Sequence, residues 1–356
     1  MISSDTGNEP QPSAETDRSP VIAAKHWPAL ERLREIFLSG QPVRGSYWTC
    51  HEDLEAYDAT LGERIGWKWD AVLDELGRLG WSPPTGPLVD FGCGSGIASR
   101  RVVGRGSSDR FPEIRLLDKA PLATGFAASR LRGVAPGSRV VEVGPSDVGE
   151  VMAGSTVLLS HVLGEMPPAA RRQLSAALAT AAAVIWVEPG THADSRALIA
   201  MREELLGVFR PVAPCVHASR CGLLAAGQER HWCHFFAAPP KGVMADPDWA
   251  AFAAHMGIDL RSVPYSYLVL QRSDIAPQVL GDHGDRTRVL GTPRIYKGFS
   301  RLFCCAERGV EELELPRRLD EAQYKAIKRG EAGSLFRFRS EAGRIQSIEP
   351  VPSTPV

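Results

Sequence analysis

LVDFGCGSG, residues 88–96, reads as a short apolar strand that ends at Asp90 and turns through Gly92, Gly94 and Gly96. Without side chains those glycines reach positive φ and let a ligand approach the backbone, and a helix starting near Ile97 offers its amides to the same place. Asp118 ends the next strand 28 residues after Asp90, where a carboxylate accepts hydrogen bonds from ribose hydroxyls. Further strand-like runs follow: IRLLD at 114–118, RVVEV at 139–143, TVLLSHV at 156–162 and AVIWVE at 183–188. Helical stretches separate them, ASRRVV, LATGFAASRL and AARRQLSAALATAA among them. Apolar runs that alternate with helices imply an α/β fold, a doubly wound parallel sheet covered on both faces.

The form of the turn narrows the ligand. A dinucleotide turn reads G-x-G-x-x-G, whereas D-x-G-C-G-x-G is one residue tighter and favours S-adenosylmethionine. Asp147, in GPSDVGEV, is placed to contact an adenine amine or to cap a helix. After the fourth strand, SHVLGEMPP offers Ser160, His161 and Glu165 where a methyl group would be delivered. The expected cofactor residues are thus Asp90, Gly92, Gly94, Gly96, Asp118, Asp147 and Ser160. His161 and Glu165 are the catalytic candidates, His161 as a general base or as a structural histidine at a strand end. Neither a D/N-P-P-Y/F segment that cradles an amine nor a Pro-Cys pair that attacks a pyrimidine follows the fourth strand.

Bulk properties set the frame. The 356 residues hold 41 basic and 42 acidic side chains, which argues against a strongly charged nucleic-acid coat. Charge is nevertheless uneven: 14 Arg or Lys stand against 9 Asp or Glu over 285–344, and 5 against 10 over 1–60. A basic C-terminal third meets phosphate or is simply a solvated face. No stretch approaches the roughly 20 apolar residues that span a bilayer. Residues 1–20 read as a disordered polar tail without the marks of a secretory signal or transit peptide, so a cytoplasmic location is expected. In that reducing compartment seven cysteines read as thiols or ligands.

Residues 21–86 read as a helical N-terminal extension with aromatics that serve packing, and 87–310 as the α/β domain. YSYLVLQR at 265–272 and SRLFCCAE at 300–307 are expected to close the sheet as an antiparallel C-terminal hairpin. A cysteine-rich insertion at 208–262 precedes them, and 311–356 reads as a basic extension. Inside the insertion, Cys215, Cys221 and Cys233 are spaced by five and eleven residues. With a fourth thiol from Cys304 or Cys305 they can enclose a tetrahedral metal or an iron–sulfur cluster. His217, His231 and His234 flank the thiols and keep zinc as the chemical rival.

VDFGCGSG, SHVLGEM, VIWVEPGTHADSRALIAMREEL, VAPCVHASRC, HWCHFF and YSYLVL, in that order, resemble the ribosomal small-subunit-associated methyltransferase-like family over about residues 85–310. The resemblance implies a class I methyltransferase (Rossmann-like) fold, S-adenosylmethionine, a [4Fe-4S] cluster, and association with the small ribosomal subunit and its rRNA. By motif, Cys215, Cys221, Cys233 and Cys305 carry over as cluster ligands, Cys305 preferred because it shortly precedes Gly309. Cys215-Val216-His217 departs from the family's Cys-Pro-His, and the tail from residue 320 lacks its Trp-Gly-Asp element. Two other functions stay open: a non-catalytic RNA-binding assembly factor, and a small-molecule methyltransferase on the same scaffold. A monomer is expected.

Overall fold

Apolar spacing dictates what the first three helices cover. The computed structural model describes residues 24–39, 45–105, 108–144, 148–276 and 286–351; the tail expected at 1–20 lies outside them. Helix α1 (Trp27–Ser39) buries Leu30 and Leu33, and α2 (His51–Tyr57) buries Leu54. Helix α3 (Glu63–Arg78) buries Trp69, Val72 and Leu76 on one side and Trp67 on the other, where its ring meets Trp249, so the helix is enclosed by the domain that follows.

That domain is built on β1 (Leu88–Phe91), β2 (Glu113–Leu117), β3 (Arg139–Glu142), β4 (Thr156–Ser160) and β5 (Ala183–Pro189), paired in parallel. Helices α4 (Ile97–Arg105), α5 (Pro121–Val134), α6 (Val148–Met152) and α7 (Pro168–Leu178) connect them, and α8 (His192–Leu205) follows β5. Next come β6 (Phe209–Ala213), β7 (Phe235–Ala237), α9 (Pro247–Met256) and β8 (Val263–Arg272). The strands lie in the order β3-β2-β1-β4-β5-β8-β6, with β7 added to β8. Strand β8 runs antiparallel to both β5 and β6. Its interior position explains its nearly unbroken apolar run, with eight of its ten residues buried.

One expected strand pairing is corrected. SRLFCCAE does not close this sheet against YSYLVLQR; β6 takes that place beside β8. The short FRPVA of β6 carries a proline and no alternation, so nothing in it signals a strand. SRLFCCAE instead belongs to a second body made of β9 (Arg286–Tyr296), β10 (Phe299–Ala306), β11 (Gly309–Pro316), α10 (Glu321–Arg329), β12 (Leu335–Glu341) and β13 (Arg344–Pro350). Its strands form a closed barrel in the order β10-β11-β13-β12-β9, which spans the boundary expected at 310 and 311. Ser300, Leu302 and Cys304 alternate inward on β10 and meet Leu313, Leu315, Phe336 and Ile345. Closure leaves no edge for the large sheet to pair with.

The barrel docks on the loops between β6 and β7 at near-backbone distance. A Cβ on Gly222 would stand 2.8 Å from Gly309, and one on Gly291 would stand 2.8 Å from the His234 ring. The Phe303 ring stacks on His231 with centroids 4.4 Å apart. At the centre lies Arg288 of β9, which is buried and donates to Glu75 of α3 at 2.6 Å, to Pro214 O at 3.0 Å and to Ser334 Oγ at 2.8 Å. One guanidinium therefore joins the helical extension, the cysteine loop and the barrel.

Breaking a buried ion pair typically costs about 3–5 kcal/mol; without Arg288, Glu75 would keep only the half-exposed Arg78, 2.9 Å from its other oxygen. Arg288→Met should lose stability on that order in denaturant unfolding, and Glu75→Gln added to it should restore part of the loss. Unfolding of Arg288→Met at the wild-type midpoint would contradict the joint described here.

Candidate functional site: a nucleoside cleft and a thiol cavity

The glycine turn after β1 is built as its sequence requires. Gly92, Gly94 and Gly96 take φ of 69°, 50° and 76°. A Cβ on Gly92 would meet Val162, and one on Gly96 would meet Ala127, each at 2.8 Å. Over Gly94 a Trp48 ring carbon would stand 4.0 Å from an added Cβ, at ordinary contact distance, so the Trp48 ring covers this part of the turn. Asp118 takes the Gly94 amide at 3.0 Å and the Ala120 amide at 2.9 Å, which leaves each oxygen a lone pair for a ligand. Asp90 accepts from the Ser99 amide at 3.3 Å through one oxygen. Its other oxygen, Ser95 Oγ and Trp48 Nε1 are buried without a partner. Three orphaned polar atoms around one glycine turn fit a polar ligand placed over it. Burial pushes the Asp90 carboxyl up to about 7.

The segment after β4 is held from two sides. His161 sits at φ 57°, a left-handed conformation that costs a non-glycine residue on the order of 1–2 kcal/mol. Its Nε2 lies 3.1 Å from Lys68 Nζ of α3. Burial, with Arg64 close by, brings the Lys68 amine down to about 7, and burial beside Lys68 keeps the His161 imidazole neutral. The hydroxyl of Ser160 accepts from Trp69 Nε1 at 3.0 Å and so turns toward α3. Glu165 bonds Lys119 at 3.2 Å and Tyr47 OH at 3.4 Å, which ties the extension to the loop that carries Asp118. Asp147 lies outside the described residues.

Glu188, at the end of β5, was not singled out in the sequence. Its Oε1 accepts from the Val162 and Leu163 amides, each at 3.1 Å, and from Trp186 Nε1 at 2.7 Å, so it shapes the loop that carries His161 and Glu165. Burial pushes this carboxyl up to about 7. A charge is visible in sequence; that it reaches back across a neighbouring strand end is not.

The second site is a cavity of about 40 Å³ lined by Cys215, Cys221, Cys233 and Cys305. Four thiols from the cysteine loops and from β10 thus meet. Cys305 faces outward from the barrel into the cavity, whereas Cys304, one residue earlier on the alternating strand, is buried inside the barrel. Around the thiols the wall is apolar, with Leu198, Ile199, Leu223 and Leu290. Two cations complete it. Arg202 donates to Cys215 Sγ at 3.1 Å and to the carbonyls of His217 and Ser219, and Arg288 lies on the opposite joint. His217 Nε2 is 3.8 Å from Cys305 Sγ. Burial and the neighbouring thiols raise Cys233 well above its ordinary range, and the same causes push Cys305 up to about 12. Among the described residues no group of three or more His, Cys, Asp or Glu is arranged to hold a metal ion. The four thiols line one cavity without forming such a group. His231 stacks on Phe303, and His234 packs against Gly291, so both serve the joint.

The sheet order, with one antiparallel strand between the fifth and the last, is that of a class I methyltransferase fold. Residues 89–337 match the model of the family described as mitochondrial small ribosomal subunit Rsm22, and the chain belongs to that family. No curated protein sequence matches it. Among solved structures it is similar to magnesium protoporphyrin IX methyltransferase of Synechocystis PCC 6803 with bound SAM, at 16% identity over 74% of this chain and 100% of that one, with a TM-score of 0.36. A SAM-dependent methyltransferase of Leishmania major is similar at 10% identity over 67% and 82% of the two chains, TM-score 0.36. Precorrin-6y C5,15-methyltransferase of Geobacter metallireducens GS-15 matches at 12% identity over 57% and 88%, TM-score 0.34. Likenesses this weak say nothing about what this chain binds.

A titration follows from Glu188. Its pKa lies above the unfolded value of about 4.3, so between pH ~4 and ~7 the folded chain holds a proton that the unfolded chain releases. The resulting stability is complete at the acid end of that window and is lost as pH rises through about 7, a change on the order of 3 kcal/mol. Glu188→Gln keeps the accepting oxygen and should flatten that part of the pH profile of thermal unfolding. An unchanged profile would show that Glu188 does not titrate in this window.

Proposed function

We propose that this chain is an S-adenosylmethionine-dependent, methyltransferase-like protein that carries an iron–sulfur cluster and acts on the rRNA of the small ribosomal subunit. One observation carries the reading: three thiols of the cysteine loops and one from the barrel line a single cavity. Cys215, Cys221, Cys233 and Cys305 would hold the cluster. An apolar wall, four thiols lining one cavity, and Arg202 and Arg288 beside them suit an inorganic group that is larger than one ion and anionic with its thiolates. Zinc suits them less, because it needs sulfurs about 2.3 Å from one centre. The cluster's part is structural or redox-sensing, fastening the barrel to the sheet.

Support for the cofactor comes from the orphaned polar atoms around Gly94 and from Asp118. Bound there, S-adenosylmethionine supplies an electrophilic methyl group. Asp118 would orient the ribose, and Trp48 and Tyr47 would exclude water from the turn. The family's printed description supports the small-subunit partner. Among the described residues no helix is long and apolar enough to cross a membrane. Seven free cysteines suit a reducing compartment, the cytoplasm or the matrix that the family's description suggests.

A second reading, an assembly factor that binds without methylating, is favoured by α3. Lys68 and Trp69 bond to His161 and Ser160, so the extension fills the side where an acceptor base would meet the methyl group.

Anaerobic purification should give brown protein with iron and acid-labile sulfide, and Cys221→Ser should lose both. Stoichiometric zinc in colourless protein contradicts the cluster. Calorimetry should show S-adenosylmethionine binding, weakened about tenfold by Asp118→Asn with iron unchanged. Binding without methyl transfer to any small-subunit intermediate selects the second reading.

A further inference from the structure

The barrel's connectivity is that of an OB-fold. Numbered from β9, its strands close in the order one-two-three-five-four, with α10 between the third and fourth. The third and fifth pair in parallel through Glu314 and Arg344, and the other pairs run antiparallel. Such barrels bind oligonucleotides on strands two and three and on the turns that follow strands one and four. Fold alone assigns no ligand. The residues at that place do.

At the first of those turns Tyr296 and Phe299 pair across β9 and β10, their rings stacked at 4.8 Å and 10°. Tyr296 is 41% exposed. The Arg301 guanidinium lies 5.7 Å from the Tyr296 ring centre and 6.0 Å from that of Phe299. Tyr324 of α10 donates to the Tyr296 carbonyl at 2.9 Å and fixes the strand end. In the next row across the same face, Arg294, Arg301, Glu314 and Arg344 are successive cross-strand neighbours. Glu314 accepts from Arg301 and Glu312 from Arg294, which offsets those two charges and holds their guanidinium planes in place, so the net positive charge of the face comes from Arg344 and Lys297. Exposed Lys297 adds a further charge at the turn tip. Over 286–350 the chain holds 14 Arg or Lys against 9 Asp or Glu, a net +5 where the whole chain carries −1.

We infer that this face binds single-stranded nucleic acid, its bases stacking on Tyr296 and Phe299 and its phosphates meeting Arg294, Lys297 and Arg344. Aromatic faces beside guanidinium groups recognise unpaired bases of any sequence, whereas a duplex hides its base faces. That the ligand is RNA rests on the small-subunit reading above; the stacking site itself does not. Along the outward row of β10, Phe299 lies six residues from Cys305, about 20 Å at ~3.3 Å per residue, so the thiol cavity sits at the root of the strand that carries the platform.

The test is fluorescence anisotropy with the full chain and labelled oligouridylate and oligothymidylate of about ten nucleotides, with a duplex of the same length as control. Expected are salt-dependent binding of the single strands over the duplex, a loss of tenfold or more in Tyr296→Ala/Phe299→Ala, and retention in Tyr296→Phe. Lys297→Gln should lower the salt slope by about one. Equal affinity of the double alanine variant and wild type, or preference for the duplex, overturns the inference. Small-subunit co-sedimentation with unchanged oligonucleotide binding by the double variant sinks this inference and leaves the ribosomal reading standing. Oligonucleotide binding without subunit binding does the reverse.

Discussion

The joint between the barrel and the cysteine loops is the constraint on which the rest of the architecture depends. Two chain segments come within backbone contact at Gly222 and Gly309, and a buried guanidinium, Arg288, bonds to three separate bodies at once. A charge removed from water is tolerated only when its hydrogen bonds are made, so Arg288 fixes the position of α3, the Pro214 turn and β9 together. Once that register is set, strand alternation does the rest. It sends Cys304 into the barrel and Cys305 toward the other three thiols.

The same economy of elements couples the two sites. Helix α3 carries Glu75 toward Arg288 at one end, and Lys68 and Trp69 toward the segment after β4 in its middle. The nucleoside cleft is further closed by Tyr47 and Trp48, through Glu165 and Lys119. The extension is therefore part of the cleft, and under the function proposed above an acceptor would have to pass or displace it.

Much of the α/β body was legible because its signals are local. A strand, three glycines at positive φ and an acidic residue at the next strand end form one pattern within about 30 residues. The thiols were legible as residue types on irregular chain, and the preference for Cys305 came from a family likeness. What stayed hidden is what distant segments supply. FRPVA at 209–213 shows no strand pattern, because its pairing is dictated by β8, more than fifty residues later. The barrel was missed because its strands lie on either side of α10, and β10 looked like a continuation of the nearby sheet. Arg202, Arg288 and Glu188 carried no mark, since an arginine or glutamate declares itself only through the partner it reaches. The paired rings of Tyr296 and Phe299, split by Lys297 and Gly298, become a platform only when the hairpin forms.

The central claim is that the docked barrel, by presenting Cys305, completes a four-thiol ligand set. Iron content of anaerobically prepared Cys305→Ala and Cys304→Ala, compared side by side, tests it most directly. Iron should be lost from the first and kept by the second, because only Cys305 faces the cavity. Full iron in Cys305→Ala, with loss confined to Cys304→Ala, would mean that the barrel strand presents its other face and that the joint described here is wrong.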